Sequence, residues 1–354
     1  MSKAAELAAL IGSQTALSNR NLIINGAMQV AQRGTSFSNV SSGTFTLDRF
    51  QISSSNLDNL QVTISQSSTT PGGFSNSLKA VATTAETAVA ADEQLHIRTK
   101  FEGQDLQQLQ YGSSAAQATT LSFNVRSNVT GTYAVYLYSP DGVRIISKTY
   151  TINTADTWEY KTITFPGDTG GTINDDNGEG MQVSWHLLAG TNYTDGTGDA
   201  WVAYADGEEA ANHTADWGED ANDEWYITGI QLEVGEQATP FEHRSFGDEL
   251  ARCQRYFYRV SDDDRALYAE QGPATDQLWW NFGFPVEMRI RPDFTVYGAT
   301  NKGQAGKAYD TGGGDYESVE TTHYSTLTRG HILITRGTAN VNYSIQGAEF
   351  DAEL

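Results

Sequence analysis

Residues 119–152, TTLSFNVRSNVTGTYAVYLYSPDGVRIISKTYTI, indicate the fold class. Apolar and polar side chains alternate along residues 119–127, and strand-like runs rich in Val, Ile and Tyr follow at 131–139 and 143–152. A period of two places alternate side chains on opposite faces of a strand, and the Asn, Gly, Pro and Asp residues between the runs favour turns. The stretch therefore predicts three consecutive strands joined by short turns.

The same pattern recurs on both sides of this stretch. Further strand-like runs lie at residues 45–53, 60–68, 77–84, 93–101, 159–167, 181–190, 199–206 and 224–235. No helix longer than two turns is predicted between residues 30 and 240. Many short strands separated by turn residues are typical of a two-sheet sandwich rather than of alternating β-α units. We expect an all-β protein whose main domain is a jelly-roll β-sandwich over residues 21–244.

The composition agrees with this fold class and excludes several functions. The 354 residues include 34 Gly, 17 Tyr and 14 Phe, and 38% are hydrophobic, which is enough for a substantial core. With 44 acidic and 22 basic residues the net charge is −22, which disfavours binding to nucleic acid or to anionic membranes. No run of 18 apolar residues predicts a membrane span, and no secretory signal is evident.

Both ends of the chain differ from the sandwich. Residues 1–20 predict a short helical arm, which needs a partner surface because so short a helix is marginal alone. Its apolar anchors are Leu7, Leu10 and Ile11. Residues 260–354 contain further strand-like runs and predict a smaller β domain, with residues 300–318 as a long Gly- and Asp-rich loop.

Residues 245–259 predict a linker helix between the two β domains. Ser245 is a candidate N-cap, Asp248 follows at the spacing of a capping box, and Cys253 lies on the apolar face. The single cysteine excludes an intramolecular disulfide and a multi-cysteine zinc site. We interpret Cys253 as a structural residue and His243 as a surface or turn residue, not as parts of an active site.

No catalytic constellation emerges from the sequence. It contains no G-x-S-x-G elbow and no phosphate-binding loop, and carboxylate pairs cannot be assigned by spacing alone. We therefore expect a protein that is not an enzyme.

An acidic segment is a candidate cation site. Residues 195–224 contain no Lys or Arg, and uncompensated carboxylates either remain solvated or bind a cation such as calcium. No EF-hand spacing is present, so both interpretations stay open. The candidate calcium ligands are Asp195, Asp199, Asp206, Asp216 and Asp220.

Aromatic side chains near predicted strand ends and loops are candidates for stacking on sugar rings. The alternative is that they fill the core. Trp217, within the acidic segment, is the strongest candidate for an exposed platform. The predicted glycan-binding set is Trp217, Trp201, Trp185 and Tyr193.

Several motifs resemble those of a known protein class. NLIINGAMQVAQRGTS (21–36) followed by LDRF (47–50) resembles the opening of a jelly-roll module of tail-fibre and related virion proteins of tailed bacteriophages. TWEYKTITFPGDT, MQVSWHLLAG and ITGIQLEVGEQATPFEHRSFGDELARCQRYFY resemble its later segments, and FPVEMRIRPDF (284–294) resembles the small β domain that often follows. The resemblance covers roughly residues 21–294.

The resemblance implies a sandwich similar to carbohydrate-binding modules, carried on a virion as a homotrimer and contacting host surface polysaccharide. It implies no catalytic residues. Only about 20 residues precede the module, so we expect a short appendage whose arm docks on other virion proteins. A tail fibre or tail-associated protein is the leading interpretation, and a head decoration protein is the alternative. A soluble glycan-binding module and a polysaccharide depolymerase are the competing classes.

Overall fold

The computed structural model describes residues 19–260 and, beyond them, residues 267–268, 270–271, 277–298, 304–310, 316–318, 320–323, 326–335 and 343–354. The chain divides into two compact units, residues 1–249 together with Leu354, and residues 250–353. The predicted arm anchors Leu7, Leu10 and Ile11 lie outside the described residues. No helix in the described part of the chain is long and apolar enough to cross a bilayer.

The described part of the first unit contains twelve strands, and β2 to β12 each overlap one run predicted from the sequence. The strands are β1 Ser36–Phe37, β2 Gln51–Ser55, β3 Gln61–Ser67, β4 Ser77–Thr84, β5 Gln94–Glu102, β6 Thr119–Ser127, β7 Gly131–Ser139, β8 Arg144–Ile152, β9 Glu159–Phe165, β10 Glu179–Ala189, β11 Val202–Ala203 and β12 Glu224–Val234.

These strands form two antiparallel six-stranded sheets. The first sheet has the order β1-β3-β4-β12-β6-β9, and the second has the order β11-β8-β7-β10-β5-β2. Strands distant in sequence are neighbours, as where β10 lies between β5 and β7. The all-β fold class predicted from the sequence is confirmed, with a jelly-roll β-sandwich as the main unit.

One apolar core fills the space between the two sheets. Alternate positions of β6, including Phe123, and of β10, including Trp185, point into it and are fully buried. The ring centroids of Phe123 and Trp185 lie 6.0 Å apart in an edge-to-face arrangement. Sheet-on-sheet packing of this kind explains why the strands show a period of two.

The segment before β1 runs beside the C-terminal half of β12 and forms backbone hydrogen bonds with it. The backbone N–H of Ile230 donates to the carbonyl of Gly26 at 3.0 Å. A Cβ at position 26 would lie 2.1 Å from the carbonyl oxygen of Ile230, a distance no real Cβ shows. Gly26 is therefore required by the close approach of two backbones.

Helices are short in the described residues. Two 3-10 helices span Gly103–Leu109 and Asp206–Glu208, and two α-helices are α1 Thr191–Thr194 and α2 Phe246–Gln254.

The N-terminus of α2 has the predicted capping box. The N–H of Asp248 donates to Oγ of Ser245 at 3.2 Å, and the Ser245 hydroxyl donates to Asp248 Oδ2 at 2.6 Å. Cys253 is fully buried, as expected for a structural residue, and His243 is exposed. The extent of the linker helix at 245–259 was wrong. The helix ends at Gln254, because the aromatic run that follows pairs with the last strand of the chain as Phe257–Val260.

The second unit contains three small sheets in its described residues, with the orders β13-β23-β17, β14-β22-β18-β19 and β15-β16-β21-β20. Its strands are β13 Phe257–Val260, β14 Leu267–Tyr268, β15 Glu270–Gln271, β16 Gln277–Gly283, β17 Asp293–Tyr297, β18 Lys307–Asp310, β19 Tyr316–Ser318, β20 Glu320–His323, β21 Arg329–Thr335, β22 Tyr343–Ile345 and β23 Gly347–Asp351.

The smaller β domain predicted at residues 260–354 is therefore also β in structure. The predicted loop at 300–318 was wrong in part, because β18 and β19 lie within it and pair with each other. The Gly- and Asp-rich composition of this segment predicts a loop, because Gly and Asp have low strand propensity. The strands form because they pair with neighbouring strands.

Candidate functional site

The face of the second sheet that points away from the core carries buried polar side chains. Ile97 of β5 and Trp185 of β10 face the core, so the adjacent His96 and His186 point outward. The antiparallel register of the two strands makes these histidines direct cross-strand partners. Ser53 of β2 is opposite His96 on the other side, which produces one polar row across three strands.

A cleft of about 370 Å³ opens on this outer face. Strands β2, β5, β7 and β10 contribute its floor and one wall, and the chain between β10 and β12 contributes the other wall. The lining residues are Ser53, Gln94, His96, Arg98, Lys100, Tyr136, Tyr138, Pro140, Glu179, Gln182, Tyr204 and Glu209.

The segment between β10 and β12, residues 190–223, is held against the second sheet by His213. The N–H of Ala134 in β7 donates to Nδ1 of His213 at 3.2 Å, and Nε2 of His213 lies 3.1 Å from the carbonyl of Ala215. This contact satisfies both ring nitrogens of a neutral imidazole. The anchored segment then places Tyr204 and Glu209 over the cleft.

Two tyrosines form the mouth of the cleft. The rings of Tyr138 and Tyr204 are half-buried, with centroids 5.0 Å apart and planes inclined at 57°. The hydroxyl of Tyr204 donates to Oε1 of Glu209 at 2.6 Å, which fixes its ring. Beneath them, the side-chain amide of Gln182 donates to the Tyr136 hydroxyl at 2.9 Å. The mouth therefore combines aromatic surface with hydrogen-bonding groups.

Three buried side chains meet at the floor of the cleft. His96 Nδ1 lies 3.3 Å from His186 Nε2, and Oε2 of Glu209 lies 3.8 Å from the same His186 atom. All three residues are more than nine-tenths buried. In the described part of the chain they are the only group of three or more His, Cys, Asp or Glu residues whose ligand atoms lie within 4.8 Å of one another.

Burial determines the charge state of this floor. It lowers the pKa of His96 to about 3 and the pKa of His186 well below its usual value. Burial also raises the pKa of Glu209, although the hydrogen bond from Tyr204 opposes this. Both imidazoles are therefore neutral near pH 7, with a lone pair for a metal ion or a hydrogen-bond donor.

The prediction that Trp217 forms an exposed platform for a sugar ring was wrong. Trp217 and Trp185 are fully buried in the sandwich core, because residues 190–223 fold back onto the sheets instead of extending into solvent. Trp201 is partly buried, and its indole N–H donates to the carbonyl of Pro166 at 2.7 Å. Tyr193 is buried, with its hydroxyl 3.3 Å from the carbonyl of Asp92. None of the four lines the cleft.

The five aspartates proposed for calcium are not gathered into a site. Asp195, Asp199, Asp206, Asp216 and Asp220 are all exposed. Asp199 pairs with Lys148 at 3.1 Å, and Oδ1 of Asp206 lies 3.0 Å from the Tyr204 hydroxyl oxygen. No three of them belong to a coordinating cluster in the described residues. Because water screens exposed carboxylates, their mutual repulsion does not require a cation. The assignment of these five residues as calcium ligands therefore stays a prediction, for which the described residues show no preformed cluster.

Sequence reasoning missed His96, His186, Glu209, Tyr138 and Tyr204. The two histidines occupy outward positions in the predicted runs 93–101 and 181–190, so the alternation places them on the sheet face opposite the core. That signal could have marked them as polar residues on one face. Their adjacency could not be inferred, since 90 residues separate them in the chain.

A second depression, of about 660 Å³, is shallow. It lies between Tyr160 and Thr162 of β9 and the turn at residues 236–240. Tyr160 is its single aromatic ring and is 57% exposed. The smaller cleft is the better candidate site, because three tyrosines line it together with hydrogen-bonding side chains.

Comparison with known proteins gives structural similarities only. The chain matches no protein-family model, and no curated protein matches it in sequence. Among solved structures it is similar to the enzymatically active domain of bacteriophage CBA120 tailspike protein 4, at 10% identity and a TM-score of 0.33. That alignment covers 61% of this chain and 21% of the tailspike chain, so the chain spans about a fifth of that protein's length.

Carbohydrate-binding modules are also among the similar structures. The family 11 module from Clostridium thermocellum, in complex with a β-1,3-1,4-mixed-linked tetrasaccharide, is 13% identical with a TM-score of 0.29, covering 59% of this chain and 98% of the module. TmCBM61, in complex with β-1,4-galactotriose, is 10% identical with a TM-score of 0.31, covering 61% and 99% respectively. Identities and TM-scores this low carry no functional argument.

Proposed function

We propose that this protein binds carbohydrate in the cleft on the outer face of its second sheet, without cleaving it. The observation that carries the proposal is the pair of half-buried rings, Tyr138 and Tyr204, above a floor of hydrogen-bonding side chains. Sugars present apolar C–H faces and a rim of hydroxyls, so they suit aromatic surface beside donors and acceptors. The cleft offers both kinds of contact within about 370 Å³.

The charges of the cleft are compatible with a sugar ligand. Arg98 Nε donates to Oε1 of Gln51 at 2.8 Å, and Lys100 pairs with Glu179 at 2.7 Å. Neighbouring side chains therefore hold both cations in place. Their remaining N–H groups can donate to hydroxyl or carboxylate groups of a ligand. Among the residues that line the cleft, these two cations balance two carboxylates, Glu179 and Glu209, whereas the whole chain has a net charge of −22.

The biological setting follows from the sequence motifs. We propose that the protein is a structural component of a tailed-phage virion, most simply a tail fibre or tail-associated appendage that contacts host surface polysaccharide. It assembles as a homotrimer and docks through residues 1–20, with Leu7, Leu10 and Ile11 as anchors. A head decoration protein with the same glycan-binding cleft is the alternative location.

The docking proposal is tested on intact particles. Deletion of residues 2–17 should leave folded trimers, measured by light scattering, that no longer join the virion. Normal incorporation of the truncated protein would contradict docking through the arm. Imaging particles with a C-terminal tag distinguishes tail from head.

Glycan binding is tested with the full-length protein on an array of bacterial surface polysaccharides, followed by calorimetry with the best ligand. Tyr138→Ala should weaken binding by about 5- to 30-fold, the equivalent of about 1–2 kcal/mol for one stacked ring. Tyr160→Ala, on the first sheet, is the matched control and should bind normally. Absence of any glycan ligand, or loss of binding only in the Tyr160 variant, would overturn the proposal.

A separate measurement tests the proposal that the protein does not cleave its ligand. Prolonged incubation of the protein with its glycan should release no new reducing ends. Their appearance would establish a depolymerase instead.

A further inference from the structure

We propose that His96, His186 and Glu209 bind a divalent transition-metal ion of the zinc class at the floor of the cleft. This proposal does not rest on glycan binding, since its ligands lie in the buried floor, although Tyr204 of the mouth contacts one of them, Glu209. The donor set is two imidazole nitrogens and one carboxylate oxygen. Such a set suits zinc, whereas calcium prefers oxygen ligands throughout.

The spacing of the donor atoms fits one central ion. Tetrahedral zinc with bonds of about 2.0–2.1 Å has ligand atoms about 3.3 Å apart. His96 Nδ1 and His186 Nε2 are separated by 3.3 Å, and His186 Nε2 and Glu209 Oε2 by 3.8 Å. The three ligand atoms all lie within 4.8 Å of one another, so small side-chain adjustments complete the geometry.

Hydrogen bonding alone does not satisfy this cluster. Gln94 Oε1 lies 2.9 Å from His186 Nε2, so three polar atoms, His96 Nδ1, Gln94 Oε1 and Glu209 Oε2, surround a ring nitrogen that makes one hydrogen bond at most. Glu209 Oε2 has no hydrogen-bond partner among the described residues, although it is buried. A buried, unsatisfied carboxylate oxygen costs about 1–3 kcal/mol or more. A cation bound between these atoms would provide the missing partner for the Glu209 carboxylate oxygen.

The surroundings support a site with an accessible coordination position. Tyr204 donates to Oε1 of Glu209 at 2.6 Å and thereby orients the carboxylate, as groups around metal ligands commonly do. His96 and Glu209 line the cleft, so water or a ligand oxygen can complete the coordination from that side, as can Gln94 Oε1.

The affinity should be moderate. In the metal-bound form the remaining ring protons lie on His96 Nε2 and His186 Nδ1, and neither atom has a hydrogen-bond partner in the described part of the chain. Partners at those positions commonly contribute about 10- to 100-fold in metal affinity. We therefore expect zinc to bind with a Kd on the order of micromolar rather than nanomolar.

The test uses full-length protein stripped with a chelator and titrated with zinc chloride by calorimetry. We expect one ion per chain and a rise in melting temperature with zinc concentration. Glu209→Gln keeps the side-chain shape but removes the charge, and should weaken zinc binding by about 100-fold. Cobalt(II) as a probe should show the visible absorption of a low-coordinate nitrogen–oxygen site, lost in the same variant.

Two controls separate this site from adventitious binding at the surface. His243→Gln removes an exposed histidine, and Asp199→Asn removes an exposed carboxylate, so both variants should bind zinc like the unmodified protein. His96→Gln and His186→Gln should each abolish the cobalt signal, with circular dichroism to confirm folding. If either histidine variant unfolds, zinc binding by Glu209→Gln alone is the test of the proposal. Failure of zinc to bind, or unchanged zinc binding in Glu209→Gln, would overturn the proposal.

Discussion

Replacement of Trp217 by alanine distinguishes a core residue from a sugar platform. The side chain is fully buried and belongs to the sandwich core, although it lies in an acidic segment with many exposed residues. Hydrogen bonds of the Gly218 backbone fix the turn around it. The N–H of Gly218 donates to Asp223 Oδ2 at 2.9 Å, and the N–H of Glu86 donates to the Gly218 carbonyl at 2.8 Å. The indole therefore anchors residues 190–223 to the sheets.

The expected loss of stability follows from burial. An aromatic side chain buries about 150–250 Å² of surface, which at about 25 cal/mol per Å² corresponds to about 4–6 kcal/mol. The indole Nε1 has no hydrogen-bond partner among the described residues, and its desolvation offsets this gain by about 1–3 kcal/mol. The difference is about 1–5 kcal/mol. Large aromatic truncations in cores cost about 3–5 kcal/mol, so we expect Trp217→Ala to lower the free energy of unfolding by about 3–5 kcal/mol, the upper part of this range.

Urea unfolding followed by far-UV circular dichroism measures this effect. In a unit of this size about 1 kcal/mol corresponds to about 2–4 °C in Tm, so Tm should fall by about 6–20 °C. Trp217→Phe is the matched control, because it keeps most of the packing and removes the unpaired N–H, and it should lose much less stability. Glycan affinity of the folded fraction should not change. An unchanged unfolding curve for Trp217→Ala, or selective loss of glycan binding in a fully stable protein, would refute this account.

Two further predictions concern ionised side chains in the sandwich. Asp168 is 1% exposed and accepts from Arg144 Nε at 2.7 Å, so Arg144→Met should leave a buried carboxylate unpaired and cost about 3–5 kcal/mol in urea unfolding. A loss below about 1 kcal/mol would contradict this. Burial alone would raise the pKa of Glu159, but hydrogen bonds from Lys161, Asn153 and the backbone lower it to about 2 from the usual 4.5. Because the folded pKa is the lower one, ionised Glu159 stabilises the fold above pH 4.5, and this contribution is lost as pH falls from 4.5 towards 2. Glu159→Gln should therefore show a flatter dependence of Tm on pH in that window, and parallel curves for the two proteins would refute the assignment.

Local features of the sequence predicted much of the fold. The run at 93–101 became β5 at Gln94–Glu102, and the run at 119–127 became β6 at Thr119–Ser127. Such strands direct their apolar residues towards the core and their polar residues to the other face, so the residues themselves show the period of two. The capping box at Ser245 and Asp248 was likewise predictable, because a helix N-terminus is satisfied by groups three residues away.

The candidate site was not predictable in the same way. Its floor joins His96, His186 and Glu209, which come from two strands and a connecting segment. Their meeting depends on the register of β5 against β10 and on the path of residues 190–223, both set by non-local pairing.

The sequence by itself determined the all-β class, the positions of most strands and, through its single cysteine, the exclusion of an intramolecular disulfide. The tertiary structure alone decided which polar residues face each other and which aromatics are buried. Trp217 is an example. Its acidic neighbours in the sequence predict an exposed side chain, but in the structure its ring is buried in the core. The physical reason is that strand propensity acts over neighbouring residues, whereas burial depends on how distant segments share the apolar space between two sheets.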